Sequence, residues 1–196
     1  MTYAQPHAIF DAEAYLEWER EQTMRHEYVA GEVFAMSGAT DAHVTVVGNL
    51  FALLRTHVRG SPCRVYMADM KLRVDTADAF FYPDVFVTCS ESDRHLPLFK
   101  QEPVLIVEAL SDSTAAYDRG HKFAMYRQLP SLLEYVLIDP TSMSIDVFRR
   151  EDNGHFMLYP FGANDTLTLS SIAFTTPIAA VYEDVSLTTT VTLSEP

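Results

Sequence analysis

The spacing of apolar and polar residues in the first 60 positions predicts two helices with a strand hairpin between them. Asp11 is placed to cap a helix that ends near Gln22. Residues 25–36 form two short stretches on either side of Gly31, which is typical of a β-hairpin. Residues 41–59 carry apolar side chains three and four positions apart, which predicts an amphipathic helix with a buried face made of Val44, Val47, Phe51, Leu54 and Val58.

Beyond residue 60, short apolar runs predict a succession of strands. They are expected around Asp84, around Glu108, and over residues 63–74, 133–139, 144–150 and 156–159. Residues 90–102 are expected to form a loop or hairpin end, and Asp112 or Ser113 to cap a helix that Pro130 ends. This order predicts an α/β fold: one domain over residues 10–182 with a mixed central β-sheet flanked by α-helices, followed by a flexible tail over residues 183–196.

Two of the predicted strands each contain one acidic residue in an otherwise apolar run. Asp84 lies within residues 81–87, and Glu108 lies within residues 103–110. A strand that is buried on both faces has no routine place for a carboxylate, because a buried charge costs several kcal/mol unless it is paired. Both acids therefore call for a partner, and the candidates are Lys122 and a metal ion. Carboxylates that converge at a sheet edge favour Mg²⁺ or Mn²⁺.

Composition favours a globular protein and sets a condition on its partners. Hydrophobic residues make up 48% of the chain, and 14 basic residues against 27 acidic ones give a net charge of −13. Such a charge argues against general binding of nucleic acid, because neutralisation of phosphates dominates that affinity. Residues 55–73 differ, since five basic residues and one acidic residue give them a local charge of +4. This stretch is either a phosphate-binding patch or a solvated surface.

The sequence contains no run of 18 apolar residues, and its first residues lack the basic and apolar segments of an export signal. We therefore expect no membrane segment and a cytoplasmic location. In a reducing cytoplasm Cys63 and Cys89 are expected to be free buried thiols, although they could also pair. The sequence lacks Cys-x-x-Cys, glycine-rich nucleotide loops and the Gly-x-Ser-x-Gly elbow, which leaves structural zinc, nucleotide-cofactor and acyl-transfer chemistry without support.

A longer series of residues continues from the two acids. Pro83-Asp84 is followed by Glu108-Ala109, then by a Tyr-Asp-x-x-x-Lys-x-x-x-Tyr motif at residues 117–126 and by the apolar run that follows Pro130. In this order the series resembles the Uma2 family of restriction-endonuclease-like proteins, within the PD-(D/E)xK nucleases, over residues 10–182. The resemblance implies a Mg²⁺- or Mn²⁺-dependent endonuclease that hydrolyses DNA, with a homodimer as the common arrangement.

The resemblance also implies a role for each site residue. Asp84, Glu108 and the backbone carbonyl of Ala109 would hold the metal ion, and Lys122 would orient the attacking water and offset charge on the phosphate. Glu27, in the predicted hairpin, would complete the site. From the residues alone plainer interpretations stay open: Lys122 would form an exposed pair with the acid four positions before it, and Glu27 would face solvent on an edge strand.

Three further positions are expected to support the site by hydrogen bonding: His43, Asp118 and Tyr126. Two departures from the family pattern bear on activity. Leu110 stands where the standard signature has its lysine, and Asp112 stands where the relatives have proline. Two other functions therefore stay open, a catalytically inactive interaction protein with a nuclease fold and a metal-dependent hydrolase of small phosphodiester substrates.

Overall fold

The computed structural model of the protein describes residues 11–187. Its helices are α1 (Ala12–Glu19), α2 (Asp41–His57), α3 (Glu91–Arg94), α4 (Ala115–Tyr117), α5 (Phe123–Tyr126) and α6 (Ile178–Val181). A π-helical turn, Asp118–Lys122, joins α4 to α5, and we call the whole of residues 115–126 the site helix. No helix within residues 11–187 is long and apolar enough to cross a membrane.

The strands in this part of the chain are β1 (His26–Val29), β2 (Glu32–Ala35), β3 (Arg64–Met67), β4 (Lys71–Val74), β5 (Ala79–Phe81), β6 (Val85–Thr88), β7 (Phe99–Lys100), β8 (Pro103–Ala109), β9 (Glu134–Asp139), β10 (Ser144–Arg150), β11 (Phe156–Gly162), β12 (Thr166–Leu169) and β13 (Phe174–Pro177). One sheet has the order β11-β10-β9-β8-β6-β3 and a second has the order β2-β1-β5-β4-β7. Each mixes antiparallel pairs with one parallel pair, β8 with β9 and β4 with β7. The predicted α/β class is confirmed, and its strands divide mainly between these two sheets.

The six-stranded sheet is covered on both faces, which explains the apolar runs of its central strands. Leu105 and Val107 of β8 face a core cluster to which α2 contributes. Ile106 faces the opposite cluster, which includes Tyr126 of the site helix. Because side chains alternate along a strand, Glu108 points to the same face as Ile106. The alternation therefore delivers the buried acid to the side of the sheet that the site helix covers.

α2 confirms the predicted amphipathic helix, but part of its predicted face was wrong. Val47 and Leu54 are buried as expected. Val44 is 59% exposed, whereas Val46 and Leu50 are fully buried. The helix has enough apolar residues to satisfy spacings of three and four on two neighbouring faces, so spacing alone could not choose between them.

Two predicted strands are interrupted where the chain passes between sheets. The run over residues 63–74 forms β3 and β4, which belong to different sheets. The run around Asp84 forms β5 and β6, and Pro83 and Asp84 lie in the break between them. The interval 90–102, expected to be a loop, contains α3 and β7. The break before β6 places Asp84 where the chain leaves the five-stranded sheet and enters the six-stranded one.

The site helix begins without the predicted cap. Asp112 is exposed, and the hydroxyl of Ser111 accepts a hydrogen bond from the Thr114 N–H at 3.3 Å. Ser111, two residues after the end of β8, therefore makes the side-chain hydrogen bond that was predicted for Asp112 or Ser113. At the other end of the chain, Leu187 packs against the core, and residues 188–196 of the predicted tail lie outside the described residues.

Cys63 and Cys89 form a disulfide, so the expectation of free thiols was wrong. The antiparallel register of β3 and β6 pairs Arg64 with Thr88, and the residue just beyond each of them is a cysteine. The sheet therefore brings the two side chains opposite each other. Nothing in the sequence spacing of 26 residues reveals that register.

Reduction of this disulfide is expected to lower the melting temperature by roughly 6–12 °C, because a cross-link over a loop of this size is worth about 3 kcal/mol. Melting curves with and without a phosphine reductant measure the effect. The Cys63→Ala/Cys89→Ala double variant is the control, since it should melt like the reduced wild type and ignore the reductant. A wild type that ignores the reductant and carries two alkylatable thiols would contradict the pairing.

Glu134, at the start of β9, is a fully buried carboxylate with a structural role. It accepts hydrogen bonds from Arg149 Nε at 2.9 Å and from the backbone and hydroxyl groups of Ser170 and Ser171 at 2.6–3.1 Å. Burial opposes these bonds, but together they hold the pKa of Glu134 below its usual value. Glu134 pairs with Leu105 of β8, about 10 Å along the strand from Glu108.

Candidate active site

Asp84 lies beside the C-terminal end of β8. Its Oδ2 accepts a hydrogen bond from the Ala109 N–H at 2.8 Å, and its Oδ1 lies 3.1 Å from Nε2 of His43. The register of β6 and β8, which pairs Val85 with Val107, fixes this approach. The Asp84 side chain is 23% exposed, so this edge of the site is open to solvent.

Glu108 is the buried acid of the site. Its Oε1 accepts a hydrogen bond from the Tyr126 hydroxyl at 2.8 Å and lies 3.0 Å from Lys122 Nζ. Its Oε2 accepts a longer bond from the Asp84 N–H at 3.4 Å. Burial raises the pKa of Glu108 to about 8, and the neighbouring acids add to the shift while Lys122 opposes it. This carboxyl therefore exchanges its proton within the range of pH at which the protein can be assayed.

Lys122 lies among three carboxylates. Its Nζ is 2.8 Å from Glu27 Oε1, 3.0 Å from Glu108 Oε1 and 3.9 Å from Asp118 Oδ1. Burial alone would lower the pKa of the amine, but the three carboxylates hold it well above its usual value. With a side chain only 8% exposed, Lys122 does not form the exposed pair that the plainer interpretation expected. It is a permanent cation and a hydrogen-bond donor.

Glu27 joins the site from the five-stranded sheet. It lies on β1, which has β2 on one side and β5 on the other, so it is not on an edge strand. Its side chain is 13% exposed and contacts Lys122 of the site helix. The structure thus brings Glu27, Asp84, Glu108 and Lys122 together from four separate stretches of the chain.

The three residues expected to support the site also lie against it. His43 is carried by the first turn of α2, and its contact with Asp84 raises the pKa of the imidazole. Tyr126 is fully buried where it donates to Glu108. Asp118 is buried too, which raises the pKa of its carboxyl.

Sequence reasoning missed two residues beside the cluster. Tyr117 is half-buried; burial raises the pKa of its phenol to about 12, and the Glu27 carboxylate adds to the shift. The ring of Phe81 lies 5.6 Å from Lys122 Nζ and packs edge-on against Tyr126. The position of Tyr117 directly before Asp118 in the motif was the available signal. For Phe81 there was none, because an aromatic residue in a strand is most often ordinary core.

Negative charge exceeds positive charge in this cluster. The cluster has four carboxyl groups, those of Glu27, Asp84, Glu108 and Asp118, and one ammonium group, that of Lys122, which contacts three of them. A surplus of carboxylate oxygens is the donor set that hard divalent cations prefer. The residues present therefore fit Mg²⁺ or Mn²⁺ chemically.

A cation would have to reorganise the present hydrogen bonds. Within residues 11–187, no three His, Cys, Asp or Glu side chains already stand as a metal-binding group. The oxygens of Asp84 and Glu108 are engaged by the donors described above. The Ala109 carbonyl points in a suitable direction. The Leu110 N–H, which belongs to the same peptide group, donates to the Ile138 carbonyl of β9, so the Ala109 carbonyl points to the opposite side. This is the side on which the Ala109 N–H donates to Asp84.

The basic residues of the stretch 55–73 do not gather at this site. Arg55 and Arg59 lie at and beyond the C-terminal turn of α2, and Arg55 is about 18 Å along the helix from His43. Arg64 belongs to the six-stranded sheet and Arg73 to the other, where it pairs with a neighbouring acid, Asp75. The stretch is therefore dispersed in space.

Comparisons with known proteins agree with the architecture. A sequence model of the Uma2 family, described as "Putative restriction endonuclease", matches residues 12–179. The chain is 36% identical over 177 residues to the uncharacterized protein slr1290 of Synechocystis sp., covering 90% of this chain and 93% of that protein. It is 31% identical over 152 residues to the uncharacterized protein sll1609 of the same organism, covering 76% and 86%.

A solved structure has the same fold. It is described as a "putative nuclease belonging to DUF820" from Anabaena variabilis. The two structures superpose with a TM-score of 0.72 over 89% of this chain and 98% of the other. Their sequences are 16% identical, so this likeness concerns the fold alone.

Proposed function

The chain belongs to the Uma2 family, and on that premise we propose that it is a Mg²⁺- or Mn²⁺-dependent endonuclease that hydrolyses phosphodiester bonds in DNA. One observation carries the proposal. A buried lysine is shared by carboxylates from two sheets, Glu27 and Glu108, beside the partly exposed Asp84. A buried cluster of ionisable groups with shifted pKa values beside an opening to solvent is typical of functional sites.

Asp84, Glu108 and the carbonyl of Ala109 are the groups that would hold the metal ion. When bound, the ion would polarise the phosphate and lower the pKa of a water molecule. Glu108 must release its proton and loosen its contacts with Lys122 and Tyr126 before its oxygens are free. Alkaline pH should therefore favour the active form.

Lys122 acts as a donor in this mechanism. Because its pKa is held well above the usual value, it cannot serve as the base. It donates a hydrogen bond to the attacking water or to a non-bridging phosphate oxygen and offsets the charge that builds there. The water oxygen forms a new bond to phosphorus in line with the P–O bond that breaks, and the carboxylate of Glu27 takes the water proton. The departing oxygen takes a proton from solvent.

Substrate approaches at the exposed edge of the site, where Asp84 meets His43. The net charge of −13 opposes DNA, and salt screens this repulsion. Because few basic residues lie at the site, binding should depend only weakly on salt and strongly on the divalent cation. A homodimer would bring one site to each strand of a duplex. Met157 and Leu158 on the edge strand β11 are exposed apolar side chains for such a contact, which light scattering at micromolar concentration would detect.

The experiment that tests the site is a thermal melt with and without millimolar Mg²⁺ or Mn²⁺ near pH 8.5. A ligand that binds only the native state must stabilise it, by about 2.7 kcal/mol at a hundredfold excess over Kd. We expect the wild type to be stabilised, and Asp84→Asn and Glu108→Gln to respond little. Lys122→Met keeps both carboxylates but should be stabilised less than the wild type at this pH, because loss of the ammonium group raises the pKa of Glu108 further. The wild-type response should shrink near pH 6, where Glu108 holds its proton.

Glu134→Gln is the matched control for these variants. It alters a buried carboxylate of the same sheet about 10 Å from Glu108, so it should melt lower yet respond to the cation like the wild type. Equal responses in all the variants would place the bound ion elsewhere. Absence of any response in the wild type would remove the basis of the proposal.

A further inference from the structure

Glu19, the last residue of α1, is a buried carboxylate outside the cluster described above. Its side chain is 1% exposed. Its Oε1 accepts hydrogen bonds from the His26 N–H at 3.0 Å and from the Tyr82 hydroxyl at 2.8 Å. Its Oε2 lies 3.1 Å from Nδ1 of the His26 ring. One carboxylate therefore ties together a helix, the start of β1 and the end of β5.

The two residues that Glu19 holds are close neighbours of site residues. His26 directly precedes Glu27 on β1. Tyr82 is followed by Pro83 and then by Asp84. Proline restricts its own backbone and that of the residue before it. The position of Tyr82 therefore limits where the backbone of Asp84 can lie.

The surroundings of Glu19 keep this arrangement rigid. The Tyr15 hydroxyl, one turn earlier on α1, donates to the His26 carbonyl at 2.5 Å, and the Trp18 ring lies 4.8 Å from the His26 ring. Lys71 Nζ lies 5.3 Å from the centre of the Tyr82 ring. His26 and Tyr82 are therefore both packed against other residues, and a movement of the Glu19 side chain would displace them.

We propose that Glu19 is a positioning residue that sets the distance between Glu27 and Asp84. These two acids lie on separate stretches of the chain, and Glu19 contacts the immediate neighbourhood of both. The contacts of Glu19 with His26 and Tyr82 support its positioning role, and the effect of that role on catalysis rests on the proposed function. No contact between Glu19 and substrate is needed.

The carboxylate makes these contacts strong. Its Oε1 accepts from the His26 N–H and the Tyr82 hydroxyl, and its Oε2 faces Nδ1 of the His26 ring. The amide of glutamine keeps one neutral oxygen and directs an NH₂ group at that ring, so either the imidazole changes its tautomer or its Nδ1–H loses its acceptor. The contacts that hold His26 and Tyr82 are weaker in both cases, and the chain around them can shift.

Amide hydrogen exchange measured by NMR tests the placement without metal or substrate. The Ala109 N–H donates to Asp84 Oδ2 and so reports the position of Asp84, whereas the Leu50 N–H in the fully buried part of α2 reports general opening. In Glu19→Gln the Ala109 amide should exchange at least about tenfold faster relative to Leu50 than in the wild type. In Glu134→Gln the ratio should not change, since that variant weakens the fold at a distance.

Tyr82→Phe provides a second, milder variant that removes one hydrogen bond and keeps the ring. It should raise the same ratio by a smaller factor, and it keeps the test open if Glu19→Gln does not fold. If the ratio in Tyr82→Phe, or in a folded Glu19→Gln, equals that in Glu134→Gln, Glu19 only adds stability and the proposal is overturned.

The affinity for Mn²⁺, titrated on the same proteins, separates the two proposals. A wild type that binds no Mn²⁺ but shows the change in exchange would contradict the endonuclease site and leave the positioning role standing. If the wild type binds Mn²⁺, Glu19→Gln should bind it about 10–100-fold more weakly, the usual cost of losing a residue that orients a ligand. Glu134→Gln should bind it like the wild type.

Discussion

The Glu108→Gln variant is expected to cleave DNA at least about 1,000-fold more slowly than the wild type at pH 8 in Mg²⁺. Glutamine keeps the shape of the side chain and can accept the hydrogen bond of Tyr126. It removes the negative charge that would hold the cation beside Asp84. The loss should therefore appear in kcat, with the melting temperature of the metal-free protein preserved.

The same variant should change how stability depends on pH. The folded pKa of Glu108, about 8, lies above its unfolded value near 4.5. A group raised in this way contributes stability that is fully present below about pH 4.5 and is lost as pH rises through 8. In EDTA the wild type should therefore lose stability between pH 6 and pH 8.5, and Glu108→Gln should lose less.

Cleavage of plasmid DNA by wild type, Glu108→Gln, Asp84→Asn and Glu134→Gln provides the measurement. Glu134→Gln should keep wild-type activity at a temperature where it is folded. A wild type that is inactive on DNA but hydrolyses dinucleotides would favour a hydrolase of small phosphodiesters, for which a net charge of −13 is no handicap. A wild type that binds the cation and cleaves neither substrate would favour an interaction protein with a nuclease fold.

Two of the candidate site residues stood out in the sequence because they break the pattern around them. Asp84 and Glu108 are acids in apolar runs, and such anomalies are visible without a structure. Helix α2 was predictable because its apolar residues recur three and four positions apart, and strands β8 to β10 were predictable because they are short runs rich in apolar residues. The supporting roles of His43 and Tyr126 came from the resemblance to a family.

Contacts that depend on register could not be predicted. The disulfide requires the pairing of β3 with β6, and the contact between Glu27 and Lys122 requires the site helix to lie against the five-stranded sheet. Glu19 looks in the sequence like one of several charges on a surface helix. Glu19 is buried because α1 packs on β1. The spacing of residues within α1 does not reveal this tertiary contact.

The largest combined effect on activity and stability is expected from Lys122→Met. Methionine fills a similar volume but leaves Glu27, Glu108 and Asp118 without their shared cation. Breaking a buried ion pair by removing one partner costs about 3–5 kcal/mol, which corresponds to a melting temperature roughly 6–20 °C lower near pH 8. Loss of the donor should also slow DNA cleavage by about 10²–10³-fold.

This destabilisation should depend on pH in a direction that the site's charges fix. Lys122 itself stays charged, because its folded pKa lies well above 10.5. The pKa values of Glu108 and Asp118 are already raised by burial, and removal of the ammonium group raises them further. In Lys122→Met the contribution of these two carboxyl groups to folding stability is retained at low pH, where both are protonated, and is lost as pH rises and they ionise without a cation beside them. The gap in melting temperature between wild type and Lys122→Met should therefore be small near pH 5 and large near pH 8.5.

Lys100→Met is the matched control, since Lys100 is also buried but its ammonium group donates to the backbone carbonyls of Asp93 and Leu96. Carbonyls do not titrate, so that variant should be destabilised with little change between pH 5 and pH 8.5, and should keep its activity while folded. A Lys122→Met gap that stays constant over this range would mean that the three acids are not electrostatically coupled to the lysine. The assignment of Lys122 as a permanent cation would then be contradicted. So would the proposal that Lys122 acts as the donor and Glu27 as the base.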